Sequence, residues 1–140
     1  MKEVKFRVWD RNEEIMAEIT SIRFSKSQHT LIGYRYSKNG KVIDNQSYID
    51  ENGWGTAALM QYTGLKDKNG NEIYEGDVVE YKDFSSGLYL FREQPKTTGI
   101  IKINNLLRGI YLKGMGTFEG SKVEVIGNIF ENKELLEESE

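Results

Sequence analysis

Leu31-Ile32-Gly33-Tyr34-Arg35-Tyr36-Ser37-Lys38-Asn39-Gly40-Lys41-Val42-Ile43-Asp44-Asn45-Gln46-Ser47-Tyr48-Ile49 is the stretch whose reading decides the fold. Two runs of strand formers, Leu31 to Tyr36 and Val42 to Ile49, flank Ser37-Lys38-Asn39-Gly40-Lys41. An Asn-Gly pair in that setting supplies the two positive φ values of a type I′ turn, whose twist matches that of the strands it joins. Asn39 and Gly40 therefore predict a β-hairpin. The same bias runs through the whole chain: of 140 residues, 43 are Val, Ile, Tyr, Phe, Trp or Thr and 17 are Ala, Leu or Met, a balance that favours sheet over helix. Fourteen Gly against one Pro point to tight turns at positive φ rather than to stiff linkers.

Upstream of the hairpin, Val4, Phe6 and Val8 alternate with Lys5, Arg7 and Trp9, the period of a half-buried strand. Asp10 to Glu14 turns the chain. A second strand is expected over Ala17 to Ser25, with Ile22 and Phe24 on one face. Downstream, Asp50 to Gly55 reads as a turn-rich connection, and a subdomain boundary is placed at residue 56. Ala57 to Tyr62 then reads as a strand, and Asn69-Gly70 signals a second tight turn. Gly76-Asp77 turns the chain into Val78-Val79-Glu80-Tyr81, as happens in small SH3-like barrels. Further strands are expected at Leu88 to Arg92, Gly99 to Ile103, Gly109 to Leu112 and Val123 to Phe130. The helix candidate is Asn132 to Glu138, with Asn132 as N-cap and Leu135-Leu136 as its apolar patch. The expected fold is mainly β, a β-rich α+β protein. An N-terminal β-rich subdomain (1–56) holds the hairpin, a small barrel or strongly bent sheet spans 57–130, and an acidic helix or tail closes the chain at 131–140.

Composition narrows the chemistry. With no Cys there is no thiolate metal site or cysteine nucleophile, and one His, His29, cannot build a multi-histidine centre. Formal net charge is −3, and residues 131–140 carry the excess: Lys133 against Glu131, Glu134, Glu137, Glu138 and Glu140. Residues 57–130 hold nine basic and nine acidic side chains, so charge alone gives no support for nucleic acid as partner. Met1 to Arg7 alternates charged and apolar residues and no run approaches a membrane span, so neither a signal peptide nor membrane attachment is expected.

Several motifs invite a chemical reading. Asp67, Asn69 and Asn71 are spaced like the start of a calcium loop, but Glu72 and Val78 stand where such a loop needs Gly and Glu. Glu72, Glu75 and Asp77 could gather carboxylates for Mg²⁺ or proton transfer, although turns and caps explain them as well. Gly114-Met115-Gly116-Thr117-Phe118-Glu119-Gly120-Ser121-Lys122 is glycine-rich but ends Gly-Ser-Lys where a phosphate loop ends Gly-Lys-Ser/Thr, so a plain strand connection is expected. His29 lies near Ser25 and Ser27 without a nucleophile elbow. No catalytic, cofactor or metal residue is therefore assigned. Asn39, Gly40, Asn69, Gly70, Gly76 and Asp77 are turn positions, and Trp54, Leu135 and Leu136 are candidates for interaction. Among the other aromatics, Tyr34, Tyr36, Tyr48, Tyr81, Tyr89 and Tyr111 divide between core and contact surface.

Three blocks carry a family resemblance: Phe6-Arg7-Val8-Trp9-Asp10, the run Met60-Gln61-Tyr62-Thr63-Gly64-Leu65-Lys66-Asp67-Lys68-Asn69-Gly70-Asn71-Glu72-Ile73-Tyr74-Glu75-Gly76-Asp77-Val78-Val79, and Val125-Ile126-Gly127-Asn128-Ile129-Phe130-Glu131-Asn132. In order and spacing the chain resembles the YopX family over nearly its whole length. The resemblance implies a mainly β protein encoded by phages and prophages and acting in the bacterial cytoplasm, and it brings no reaction and no cofactor with it. The expected function is a non-enzymatic accessory or protein-interaction role, with a phage or host protein as partner. A nucleic-acid-binding module is the alternative, and a metal-dependent enzyme using the carboxylates near 67–77 is a third class. Self-association is also expected: an isolated two-turn helix must dock Leu135 and Leu136 on its own body or on another copy, and open strand edges offer a second route to pairing.

Overall fold

A computed structural model describes residues 4–24, 30–49, 56–84, 94–104 and 109–138. Among them run β1 (Phe6–Asp10), β2 (Ile15–Phe24), β3 (Thr30–Lys38), β4 (Lys41–Ile49), β5 (Ala57–Lys66) and β6 (Glu72–Tyr74). These are followed by β7 (Asp77–Lys82), β8 (Lys96–Ile100), β9 (Ile103–Asn104), β10 (Gly109–Ile110) and β11 (Glu124–Asn128), with a 3-10 turn at Gly120–Lys122 and a helix, α1 (Lys133–Glu138). Every described pairing is antiparallel, and the mainly β class is as the sequence predicts. The chain divides into two compact units, Val4–Gln61 and a second that runs from Tyr62 onward. The division falls inside β5 rather than at residue 56, because the first half of that strand pairs with β1 and the second half with β6. Residues 131–138 fall within the second unit.

In the first unit the strand order is β4-β3-β2-β1-β5. The hairpin forms as expected: Lys38 faces Lys41 across a two-residue loop in which Asn39 has φ 53° and Gly40 φ 75°. Strand alternation sends Ile32, Tyr34 and Tyr36 inward, where they pack with Val8, Ala17 and Ala57. The Tyr34 hydroxyl donates to Asp10 Oδ2 at 2.8 Å, and Asp10 Oδ1 accepts the N–H groups of Asn12 and Glu13 at 2.9 Å, which ties β3 to the turn after β1. Two local expectations change. β1 is not half-buried, since Val8 and Trp9 on its opposite faces are both buried. Phe24, on the face of Ile22, is 81% exposed, because β2 runs past the end of the cluster that Ile22 packs against.

The second unit holds the order β11-β7-β8, the β9–β10 pair and the β5–β6 pairing. Ile73, Val79, Tyr81, Ile101, Leu112, Met115 and Val123 form its core. The strand expected over Gly99 to Ile103 breaks at Ile101. That residue turns fully inward, and its backbone bonds to Gly76 and Asp77 at 2.9 Å each way. Helix α1 starts one residue after the expected cap. Asn132 accepts the Leu135 N–H through its carbonyl, but its side-chain Oδ1 turns back to the N–H of Asn128 at 3.1 Å. Leu135 is half-buried. His29, Ser25, Ser27, Trp54, Tyr89, the strand expected at 88–92 and the Leu136 side chain lie outside the described residues.

Candidate functional site

Two of the carboxylates near 67–77, Asp67 and Asp77, accept backbone N–H groups. Asp67, 5% exposed, accepts the Asn69 and Asn71 N–H groups at Oδ1 (2.9 and 2.8 Å) and the Val125 N–H at Oδ2 (2.9 Å). Burial by itself raises its pKa, but the bonds from Val125, Asn71 and Asn69 outweigh burial and hold the carboxyl below the usual carboxylate range. Asp67 thus organises the loop and fastens it to β11. Only Gly70 of the Asn69-Gly70 pair takes positive φ, at 86°, so this turn is closed by a carboxylate and is not the type I′ form seen at Asn39-Gly40. Asp77 is likewise buried and accepts the Tyr74 N–H at 2.8 Å across the turn in which Gly76 has φ 87°. Among the described residues no group of three His, Cys, Asp or Glu is placed to hold a metal ion.

A different feature of the second unit has the shape of a site. An open groove of about 1090 Å³ lies beside β7 and the glycine-rich connection between β10 and β11. Its apolar lining comes from Tyr81, Phe84, Tyr111 and Met115. Tyr81 is buried and donates its hydroxyl to the Lys113 carbonyl at 2.7 Å, whereas Phe84 and Tyr111 are 42% and 67% exposed. Burial raises the Tyr81 pKa, with the charges of Asp83 and Tyr111 adding to it, so that hydroxyl stays a donor.

Four lysines, Lys68, Lys82, Lys96 and Lys122, line the same groove against two acids, Glu80 and Glu119. Strand register explains the clustering: Lys82 stands directly opposite Lys96 in the β7–β8 pair, and Glu80 opposite Glu124 in the β7–β11 pair. Lys96 leans to Glu80 at 3.6 Å, Lys68 to Glu124 at 3.3 Å and Lys122 to Glu119 at 2.7 Å. Like charges facing each other across a strand pair are unfavourable, and Glu80 beside Lys96 offsets part of that repulsion. Counting charge along the chain misses this groove, because residues 57–130 are neutral in sum. The Gly114–Thr117 segment contributes to the lining.

The fold and groove together describe an antiparallel β protein of two compact units, the second with an open groove lined by aromatic and charged side chains. The chain belongs to the YopX protein family, whose model matches residues 5–137. It is also similar to the crystal structure of protein EF1440 from Enterococcus faecalis, at 29% identity and TM-score 0.61, over 97% of this chain and 99% of that one. No curated protein matches the chain. No described helix is long and apolar enough to cross a membrane.

Proposed function

We propose that this is a non-enzymatic accessory protein of a phage or prophage, which works in the bacterial cytoplasm by holding a protein partner in the groove of its second unit. The observation that carries the reading is the exposure of Phe84 and Tyr111 at the edge of a groove backed by buried Tyr81 and Met115. Exposed aromatic side chains beside a buried apolar floor are what protein contacts use. The test is capture of host and phage proteins by the tagged chain, with Tyr111→Ala beside the parent. The reading expects one reproducible partner that the variant loses. A parent that retains nothing, or a variant that retains the same partner equally, overturns it.

A second reading, a single-stranded nucleic acid as the occupant, is favoured by one specific observation, the Lys82–Lys96 corner beside Tyr111. Lysines that follow a backbone and an aromatic face that stacks on bases are the general means of such binding. Gel shift at low salt decides it: binding should weaken as salt rises and on Lys82→Glu, and absence of a shift at low salt removes this reading.

A further inference from the structure

We propose that Asn39-Gly40, at the tip of the β3–β4 hairpin, is a site of spontaneous modification at which the Gly40 backbone nitrogen closes on the Asn39 side chain, whereas Asn69-Gly70 is protected from the same reaction. The inference does not depend on the groove. In the first step the Gly40 N–H gives its proton to water and the nitrogen attacks Asn39 Cγ. A bond forms between that nitrogen and Cγ, the bond from Cγ to Nδ2 breaks, and Nδ2 leaves as ammonia. Water then opens the five-membered imide at one of its two carbonyls and leaves aspartate or isoaspartate at residue 39. The net change is carboxamide plus water to carboxylate plus ammonium.

The two sites share the tripeptide Lys-Asn-Gly, at 38–40 and 68–70, so local sequence does not separate them. In both, glycine leaves the attacking nitrogen without a neighbouring Cβ to shield it. Their surroundings differ. Asn39 and Gly40 are exposed, and neither the Gly40 N–H nor the Asn39 carboxamide has a hydrogen-bond partner among the described residues. Nothing lies within 4 Å of where a Gly40 Cβ would stand, so the peptide between the two residues has room to rotate toward the side chain. At the other site the Gly70 N–H donates to the Asp67 carbonyl at 3.0 Å, the Asn69 N–H to Asp67 Oδ1 at 2.9 Å, and Asn69 Nδ2 to Glu124 Oε1 at 3.4 Å. The attacking nitrogen, the backbone of the attacked residue and its carboxamide are all held.

Charge acts in the same direction. Loss of the amide proton and attack on Cγ build negative charge, first on the glycine nitrogen and then on the asparagine Oδ1, and a nearby cation favours it. Lys38 and Lys41 stand opposite each other at the hairpin tip. Glu13 engages Lys38, but Lys41 has no ion pair among the described residues. The product carboxylate at residue 39 therefore lies between two like charges that oppose each other across the strand pair. At residue 69 the neighbouring lysine, Lys68, already pairs with Glu124 at 3.3 Å, and that same carboxylate touches the Asn69 amide, where it disfavours further negative charge.

The test uses the unaltered chain. Folded protein is incubated at mildly alkaline pH, and conversion at residues 39 and 69 is followed by peptide mass spectrometry and by enzymatic methylation specific for isoaspartate. Net stabilisation by even one or two of the bonds that hold Asn69-Gly70 corresponds to about a tenfold difference in rate, so residue 39 should convert about tenfold faster than residue 69. In strong denaturant, where the surroundings are lost and the same tripeptide remains, the two rates should come together. Conversion in the folded chain that is no faster at 39 than at 69 overturns the proposal. A difference that persists undiminished in denaturant also overturns it, because the fold would then not be its cause.

Discussion

Gly70 and Gly120 are glycines for different reasons, and the difference predicts an inversion of the usual size rule. Gly70 has φ 86° and open space where a Cβ would lie, so a side chain there meets only backbone strain. Gly70→Val should cost about 1 kcal/mol. A Cβ on Gly120 would lie 2.3 Å from the Lys66 carbonyl oxygen, and one backbone segment would have to move. Gly120→Ala, the smaller change, should cost more, about 2 kcal/mol, and denaturant midpoints of the two variants will show the order. Asp67 makes a pH prediction at the same scale. Its carboxyl is held below the usual range in the fold, so its contribution to stability is complete above the unfolded value of about 3.9 and is lost as pH falls through the folded value. Thermal midpoints should therefore fall less steeply with acid in Asp67→Asn than in the parent.

Among the elements, the β3–β4 hairpin and the turn after β1 are joined through one hydroxyl. Tyr34 is fully buried and donates to Asp10, which is 1% exposed. Burial, then the hydrogen bond and charge of Asp10, raise the Tyr34 pKa well above that of a free phenol, so the proton stays on the tyrosine. Tyr34→Phe removes a hydrogen bond to a charged acceptor, worth about 1.5 to 3 kcal/mol, while it keeps the ring that packs in the core. Chemical denaturation with near-native circular dichroism before the transition is the expected result. An unchanged midpoint would mean that the N–H groups of Asn12 and Glu13 satisfy Asp10 without the tyrosine.

At the scale of the whole molecule, binding and stability should separate. Tyr111 and Lys82 are exposed groove residues, and substitutions at such positions usually change stability by no more than about 0.5 kcal/mol. Tyr111→Ala and Lys82→Glu should therefore keep the parental melting temperature while they reduce retention of whatever occupies the groove. A melting temperature that falls together with binding would instead make these side chains part of the packing.

The amino-acid sequence by itself determined the β-rich class and the hairpin at Asn39-Gly40. Asn39-Gly40 specifies its turn because few other residue pairs adopt two successive positive φ values cheaply, and Ile32, Tyr34 and Tyr36 show their buried face through a period of two. Asp67 is different: its spacing to Asn69 and Asn71 is visible in the chain, but its bond to Val125 crosses 58 residues. The groove lay further out of reach. Lys68, Lys82, Lys96 and Lys122 are scattered among equal numbers of acids, and only the pairing of β7 with β8 and β11, together with the return of the 111–122 segment, brings them around Tyr111. Backbone conformation is a local property that residue type controls. A charged, concave surface depends on which distant strands pair and in what register, and tertiary structure decides that.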